Sequence, residues 1–163
     1  ATMALALGNA LGARVSVTAS TADKLERALA VGAVSGVRHD DPEWPERARE
    51  LTPDGRGFDV VLDPVGLWDR STTALRPGGR LVVLGANVAE QVQMDVRGFF
   101  FGQYSLLGTT MGSPEDFAGL MSLVATGAVT PPTIAATFAL DEAAAAHRLL
   151  EAGSEFGKIV LTM

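Results

Sequence analysis

The sequence predicts an open α/β fold built on a parallel sheet, and three observations carry that prediction. Two continuous apolar runs, FDVVL at 58–62 and RLVVL at 80–84, have the character of strands buried on both faces, as a parallel sheet covered by helices requires. Between them come a turn at 63–66 (DPVG), a helix through Leu75 and a Pro77-Gly78-Gly79 reversal, which together complete a βαβ unit. Each run ends in small or turn-forming residues, and parallel sheets of this kind bind ligands outside the carboxyl ends of their strands. The class is therefore an open α/β nucleotide-binding domain.

Composition fits one such domain. At 163 residues, 47% hydrophobic and 20% charged, the chain can bury a sizeable core and has none of the bias of disordered or fibrous sequences. A formal charge of −6 argues against a broad nucleic-acid-binding or anionic-membrane surface, either of which needs clustered basic charge. Without cysteine there is no disulfide framework, thiolate metal site or cysteine nucleophile. No signal peptide and no apolar run of about eighteen residues is present, so a cytoplasmic setting is expected.

The elements follow in order. Met3, Leu7 and Leu11 lie at i, i+4 and i+8 among small alanines, which predicts a helix over 1–11 packed closely on a sheet. No capping residue or initiating methionine precedes it, so the helix reads as cut near its start. RVSVT at 14–18 is a strand. Ser20 with Asp23 is a variant capping box opening a helix whose inner stripe is Leu25, Ala28 and Leu29, and Gly32 stops it. A strand at 34–37, a polar turn at 39–42 (HDDP) and a charged helix at 45–51 with Trp44 as packing anchor lead through a loop at 52–57 into the βαβ unit. After it, 87–97 reads as loop with some extended character. GFFFG at 98–102 reads as a lid or subunit contact packed into a core rather than a ligand-stacking site. A strand at 104–109 precedes a helix capped by Ser113, with Phe117, Leu120, Met121 and Val124 as its stripe and Gly127 as its close. Residues 133–140 alternate around Ile134, Ala136 and Phe138; Asp141 caps an alanine-rich helix ending at Gly153, and KIVL at 158–161 is the last strand. No internal repeat, linker or low-complexity tract interrupts the series.

This ordered series resembles the nucleotide-binding domain of the medium-chain dehydrogenase/reductase superfamily, the zinc-type alcohol dehydrogenases and quinone oxidoreductases. The resemblance rests on LGARVSVTASTADKLERALAVGA at 11–33, FDVVLDPVG at 58–66, LRPGGRLVVLG at 75–85, LLGTTMGSPEDF at 106–117 and AAAAHRLLEAGSEFGKIVL at 143–161. LRPGGRLVV also occurs in methyltransferases; the ordered set ending in FGKIVL is the specific part. It implies a Rossmann-type doubly wound parallel sheet of order 3-2-1-4-5-6, and hydride transfer between a nicotinamide cofactor and a carbonyl, alcohol or enone substrate. It also implies a homodimer through the strand edge near 104–109. In that fold the first strand and its Gly-rich phosphate loop precede Ala1, and the strand stands between those at 14–19 and 58–63. The expectation is thus a partial dinucleotide-binding domain over 1–163, a fragment of a longer enzyme and inactive alone, with 130–163 returning toward an absent catalytic domain.

The cofactor expectation begins at the end of the strand at 14–18. NAD-specific domains of this type place an acid there for the adenosine ribose. Here Thr18-Ala19-Ser20-Thr21 offers none until Asp23, and Lys24 follows; hydroxyls at a helix N-terminus plus a lysine suit a phosphate, so NADP(H) is favoured over NAD(H). The alternative is that Ser20 only caps and Lys24 is a solvated helix residue. His39 falls where quinone-reductase-like members carry a tyrosine near the adenine and its phosphate; otherwise it is an exposed turn residue. The resemblance places Asp63 and Val65 beside the adenine and ribose, and Gly85, Ala86, Gly108, Thr109 and Thr110 near the nicotinamide, where small residues let backbone groups approach. The competing reading of each glycine is ordinary turn geometry. His147 reads as structural or surface. Neither histidine has metal-ligand spacing to a partner, so no metal is expected here, and zinc is left to the parent enzyme. No nucleophile, acid/base pair or triad stands out. The alternatives are an S-adenosylmethionine methyltransferase and a non-catalytic nucleotide-binding or assembly module.

Overall fold

A computed structural model describes residues 2–163, so the predicted first helix is seen from Thr2, and Ala1 lies outside the described residues. The chain forms two compact units. One takes in the chain up to Ser35 together with Glu115–Met163, and the other is Gly36–Pro114.

In the first unit, helix α1 (Thr2–Ala10) and helix α2 (Ala22–Ala30) flank strand β1 (Ser16–Ala19). Leu5, Ala28 and Ala33 are buried together, with Val15, Val17 and Phe156 packed against them. The small residues permit the close approach: a Cβ at Gly8 would lie 2.5 Å from a Val15 methyl carbon. Strand β2 (Ser35–Arg38) starts here, where Ser35 and Ser16 share a 2.7 Å hydroxyl hydrogen bond. The later part of the unit is helix α6 (Pro114–Ala125), strand β6 (Ile134–Ala139), helix α7 (Ala143–Ala152) and strand β7 (Lys158–Thr162), with β6 and β7 paired in parallel. Gly153 ends α7 in the left-handed conformation that glycine adopts without strain.

The second unit holds helix α3 (Trp44–Glu50), strand β3 (Phe58–Asp63), helix α4 (Trp68–Thr73), strand β4 (Leu75–Val83), helix α5 (Val96–Phe101) and strand β5 (Ser105–Gly108). Its sheet has the order β3-β4-β5, all parallel. Leu75 and Leu81 are fully buried in it, each contributing about 2 kcal/mol of apolar transfer. Trp44 is buried as expected, under the Arg70 guanidinium at 5.4 Å.

The parallel βαβ unit is present. The exact order 3-2-1-4-5-6 is not established by these separate sheets, β1-β2, β3-β4-β5 and β6-β7. Several local expectations are corrected. The Pro77-Gly78-Gly79 reversal lies inside β4 as a bulge, because Phe58 pairs with Leu75 and Val60 already pairs with Arg80. Burial on both faces fails for β3: Val60 and Leu62 are exposed, since β3 is an edge strand whose apolar run no described residue covers fully. The cap of α2 is Thr21, whose hydroxyl accepts from Lys24 N at 3.2 Å, and not Ser20; Leu29 is exposed. Asp141 sits inside a short 3-10 turn, and Glu142 instead accepts from Ala139 N. Part of the predicted loop and the GFFFG cluster form α5; within this chain Phe100 and Phe101 are exposed, their tilted rings 4.7 Å apart, as a surface that a lid or subunit contact would cover. On α6, Phe117 and Met121 are likewise exposed.

Candidate functional site

The three strands of the second unit end level. Asp63 pairs with Val83 and Val83 with Gly108, so the loops leaving β3, β4 and β5 start side by side. The first two loops are locked together. Asp63 is 2% exposed, and its Oδ1 accepts from the amides of Val65 (2.9 Å) and Gly66 (2.8 Å), while Oδ2 accepts from the Ser71 hydroxyl (3.1 Å). Its carbonyl accepts from Leu84 N at 3.1 Å, and the Val65 carbonyl accepts from Val88 N at 2.9 Å. Two glycines allow this contact. A Cβ on Gly66 would sit 2.3 Å from the Ala89 carbonyl oxygen, and one on Gly85 would sit 2.2 Å from that of Pro64.

Beyond the strand ends lies a cleft of about 840 Å³. Gly85 and Ala86 form one side of it and Gly108 and Thr109 another, with Trp68 of α4 contributing an aromatic wall. Thr109 N donates to the Val83 carbonyl at 3.0 Å, which holds this threonine in line with β5. A Cβ at Gly108 would meet no atom within 4 Å, so the space a side chain would take there is open. The lining is mostly apolar, with Glu90, Gln91 and Thr109 as polar groups. Four of the predicted residues are thus brought together: Gly85, Ala86, Gly108 and Thr109. Thr110 follows as an exposed residue outside the lining. Val65 acts on the neighbouring loop through its carbonyl, and Asp63 is sealed behind it with both carboxyl oxygens engaged. Trp68, Glu90 and Gln91 were not singled out from the sequence; Trp68 had a signal in its position just past the DPVG turn, whereas 87–93 has no periodicity to place Glu90.

His39 is exposed in its turn, between the partners of an ion pair: Arg38 Nε donates to Asp40 Oδ1 at 3.0 Å. That hydrogen bond, with the attraction of the opposite charge, holds the Asp40 carboxyl below its ordinary range and raises Arg38 further. At the far corner of the unit the Arg76 guanidinium, 2.7 Å from Asp59, likewise lowers the Asp59 carboxyl.

In the first unit, Ser20 and Lys24 are brought together at the end of β1. The Lys24 ammonium lies 3.5 Å from the Ser20 hydroxyl and also donates to the Gly153 carbonyl, which among the described residues leaves its third hydrogen free. The N-terminus of α2, capped by Thr21, adjoins them. His147 and Lys158 are exposed. Among the described residues no group of three or more histidine, cysteine, aspartate or glutamate side chains could hold a metal, and no helix is long and apolar enough to cross a membrane.

Level parallel strands opening on a cleft of glycine and threonine define a nucleotide-binding α/β domain of Rossmann type. The particular family follows from comparison: the zinc-binding dehydrogenase model matches residues 1–126, and the chain belongs to that family, the zinc-type alcohol dehydrogenases and quinone oxidoreductases. A 2-haloacrylate reductase from Burkholderia sp is 34% identical over 93% of this chain and 48% of its own length. A solved NAD-dependent alcohol dehydrogenase superposes with a TM-score of 0.89 at 36% identity, covering 98% of this chain and 47% of that one. The quinone oxidoreductase of Thermus thermophilus, solved also with NADPH, gives 0.77 at 30% identity over 99% and 54%. The chain spans about half the length of the alcohol dehydrogenase-like protein, the 2-haloacrylate reductase and the quinone oxidoreductases that it matches.

Proposed function

We propose that the chain is the cofactor-binding portion of an NADP(H)-dependent oxidoreductase, of alcohol dehydrogenase or quinone/enone reductase type. The observation that carries this reading is the cleft at the ends of β4 and β5, lined by the small residues Gly85, Ala86, Gly108 and Thr109, with open space where a side chain on Gly108 would begin. These residues fit a nicotinamide: their small side chains admit the ring and let it approach the backbone closely. When bound, the nicotinamide supplies the hydride donor or acceptor. This chain's residues bind and orient it, with the Trp68 wall and the apolar lining excluding water from one side.

The preference for the 2′-phosphate rests on Ser20 and Lys24. A hydroxyl, an ammonium with a hydrogen to spare and the amino end of α2 adjoin one another, and each favours an anion. The named relatives include an NAD-dependent enzyme and one solved with NADPH, so the choice is tested on this chain directly. His39, Val65 and Thr110 complete the proposed cofactor-binding set, His39 toward the adenine and Thr110 toward the nicotinamide. Asp63 acts there through its loop. The substrate is a small molecule bearing a carbonyl, alcohol or conjugated double bond, and any zinc belongs to the parent enzyme outside this segment. The segment is inactive alone, and its setting is the cytoplasm. The edge strand β5, with Leu106 and Leu107 part-exposed, is the surface proposed to pair two copies.

The test is titration with NADPH, NADH and S-adenosylmethionine, read for the reduced nucleotides by energy transfer from the two tryptophans and for all three by calorimetry. The expected result is saturable NADPH binding at least about tenfold tighter than NADH. Binding of S-adenosylmethionine alone contradicts the reading, and equal affinity for the two nucleotides removes the phosphate preference.

A further inference from the structure

We infer that Asp63 is a positioning residue: from behind the cleft it fixes the loop after β3, and through Val65 it fixes the lip after β4 that carries Gly85, Ala86 and Glu90. The chain of contacts is continuous. Both Asp63 oxygens are used, Oδ1 by the amides of Val65 and Gly66 and Oδ2 by Ser71 of α4, and the group is 2% exposed, so neither oxygen is available to a ligand. The peptide unit pinned by Oδ1 presents the Val65 carbonyl outward, where it receives the amides of Val88 (2.9 Å) and Ala89 (3.4 Å). Gly66 lies directly under the Ala89 carbonyl, and Gly85 under that of Pro64, so neither loop can shift without the other.

A buried carboxyl group accepting three hydrogen bonds from two loop amides and a helix hydroxyl is a strong local constraint, because releasing the Gly66 amide or the Ser71 hydroxyl leaves a buried polar group without a partner. Its location explains why a polar side chain ends an apolar strand. The three donors converge where β3, the turn and α4 meet, and no apolar side chain of similar size satisfies them. Control of the lip is then remote: Asp63 affects what occupies the cleft without touching it. The identity of that occupant as NADPH rests on the proposal above; the coupling of the two loops rests on the hydrogen bonds alone.

The experiment compares Asp63→Ala, Asp63→Asn and Ser71→Ala with the unchanged protein by backbone amide hydrogen exchange and by NADPH titration. Asparagine keeps an acceptor for the two amides and offers its NH₂ to Ser71, so it is the conservative variant. With Asp63→Ala, exchange at Val65, Gly66, Val88 and Ala89 is expected to rise together by about tenfold or more, while Leu81 in the same sheet is unchanged. Asp63→Asn is expected to restore both exchange and affinity to within about threefold. Ser71→Ala is expected to give an intermediate rise at the same four amides, and it serves if the alanine variant at 63 does not fold. The NADPH dissociation constant is expected to increase with the exchange at 88 and 89 across the series. Faster exchange at 65 and 66 with none at 88 and 89 overturns the coupling. So does an asparagine variant as disturbed as the alanine one, or, without a folded alanine variant, unchanged exchange in Ser71→Ala. If the unchanged protein binds neither NADPH nor NADH, the cofactor reading fails while the exchange pattern still decides the coupling.

Discussion

The carboxyl ends of β4 and β5 are adjacent; β5 finishes in Gly108, Gly85 follows β4 by two residues, and the two glycines are held in opposite ways. At Gly85 the chain is wedged, with the Pro64 carbonyl oxygen where a side chain would begin. At Gly108 nothing lies within 4 Å of that position. The first glycine is required by the packing of one loop on another, whereas no packing within the described chain requires the second. A glycine that the fold does not need, facing a cleft at the end of a parallel strand, is the one whose smallness the proposed cofactor site would use.

The contrast is broken most severely at Gly85. Gly85→Ala drives a Cβ into backbone that cannot rotate away, and a loss of about 3 kcal/mol or more in urea unfolding is expected. Gly108→Val sharpens the contrast from the other side. Valine suits a strand and has space there, so stability should change by less than about 0.5 kcal/mol, while the added methyl groups narrow the cleft and weaken NADPH binding by about tenfold. Lys24→Glu asks whether the first unit contributes its phosphate contact. It should weaken NADPH about fivefold or more and leave NADH nearly unchanged, and equal effects remove the claim.

The smallest effect is expected far from the cleft, at the exposed Asp59–Arg76 pair. The hydrogen bond and charge of Arg76 hold the Asp59 carboxyl below its usual value of 3.8. A depressed folded value means that the pair's contribution is present above that usual value and is lost as pH falls through the folded one. The Asp59 side chain is 78% exposed, so solvent screens the pair and Asp59→Asn should cost less than about 0.5 kcal/mol at pH 7. In parallel pH titrations of stability, that small difference should shrink below about pH 4.

The region around this comparison was legible in unequal parts. The apolar runs and the turn residues between them sufficed to place β3, α4 and β4 in order, because a buried parallel strand needs little beyond uninterrupted hydrophobicity. Pro77-Gly78-Gly79 misled for a physical reason: the residues that end a strand also let one bulge, and only pairing with β3 distinguishes the two. Val60 and Leu62 misled because an apolar run records what the strand can bury and not whether a neighbour covers it. At the site, glycine and threonine at strand ends identified the cleft walls. Nothing in the sequence distinguished the wedged Gly85 from the open Gly108, since that difference lies in the position of Pro64, twenty-one residues earlier. The burial of Asp63 was equally illegible, because the donors that satisfy it are backbone amides and Ser71, eight residues on.

The most direct test of the central claim is to follow the backbone amide resonances of the protein while NADPH is added. The residues that line the cleft should respond first and saturate together: Gly85 and Ala86 on one side, Gly108 and Thr109 on the other. Saturable binding of NADPH that leaves all four unmoved contradicts the assignment of this cleft to the nicotinamide.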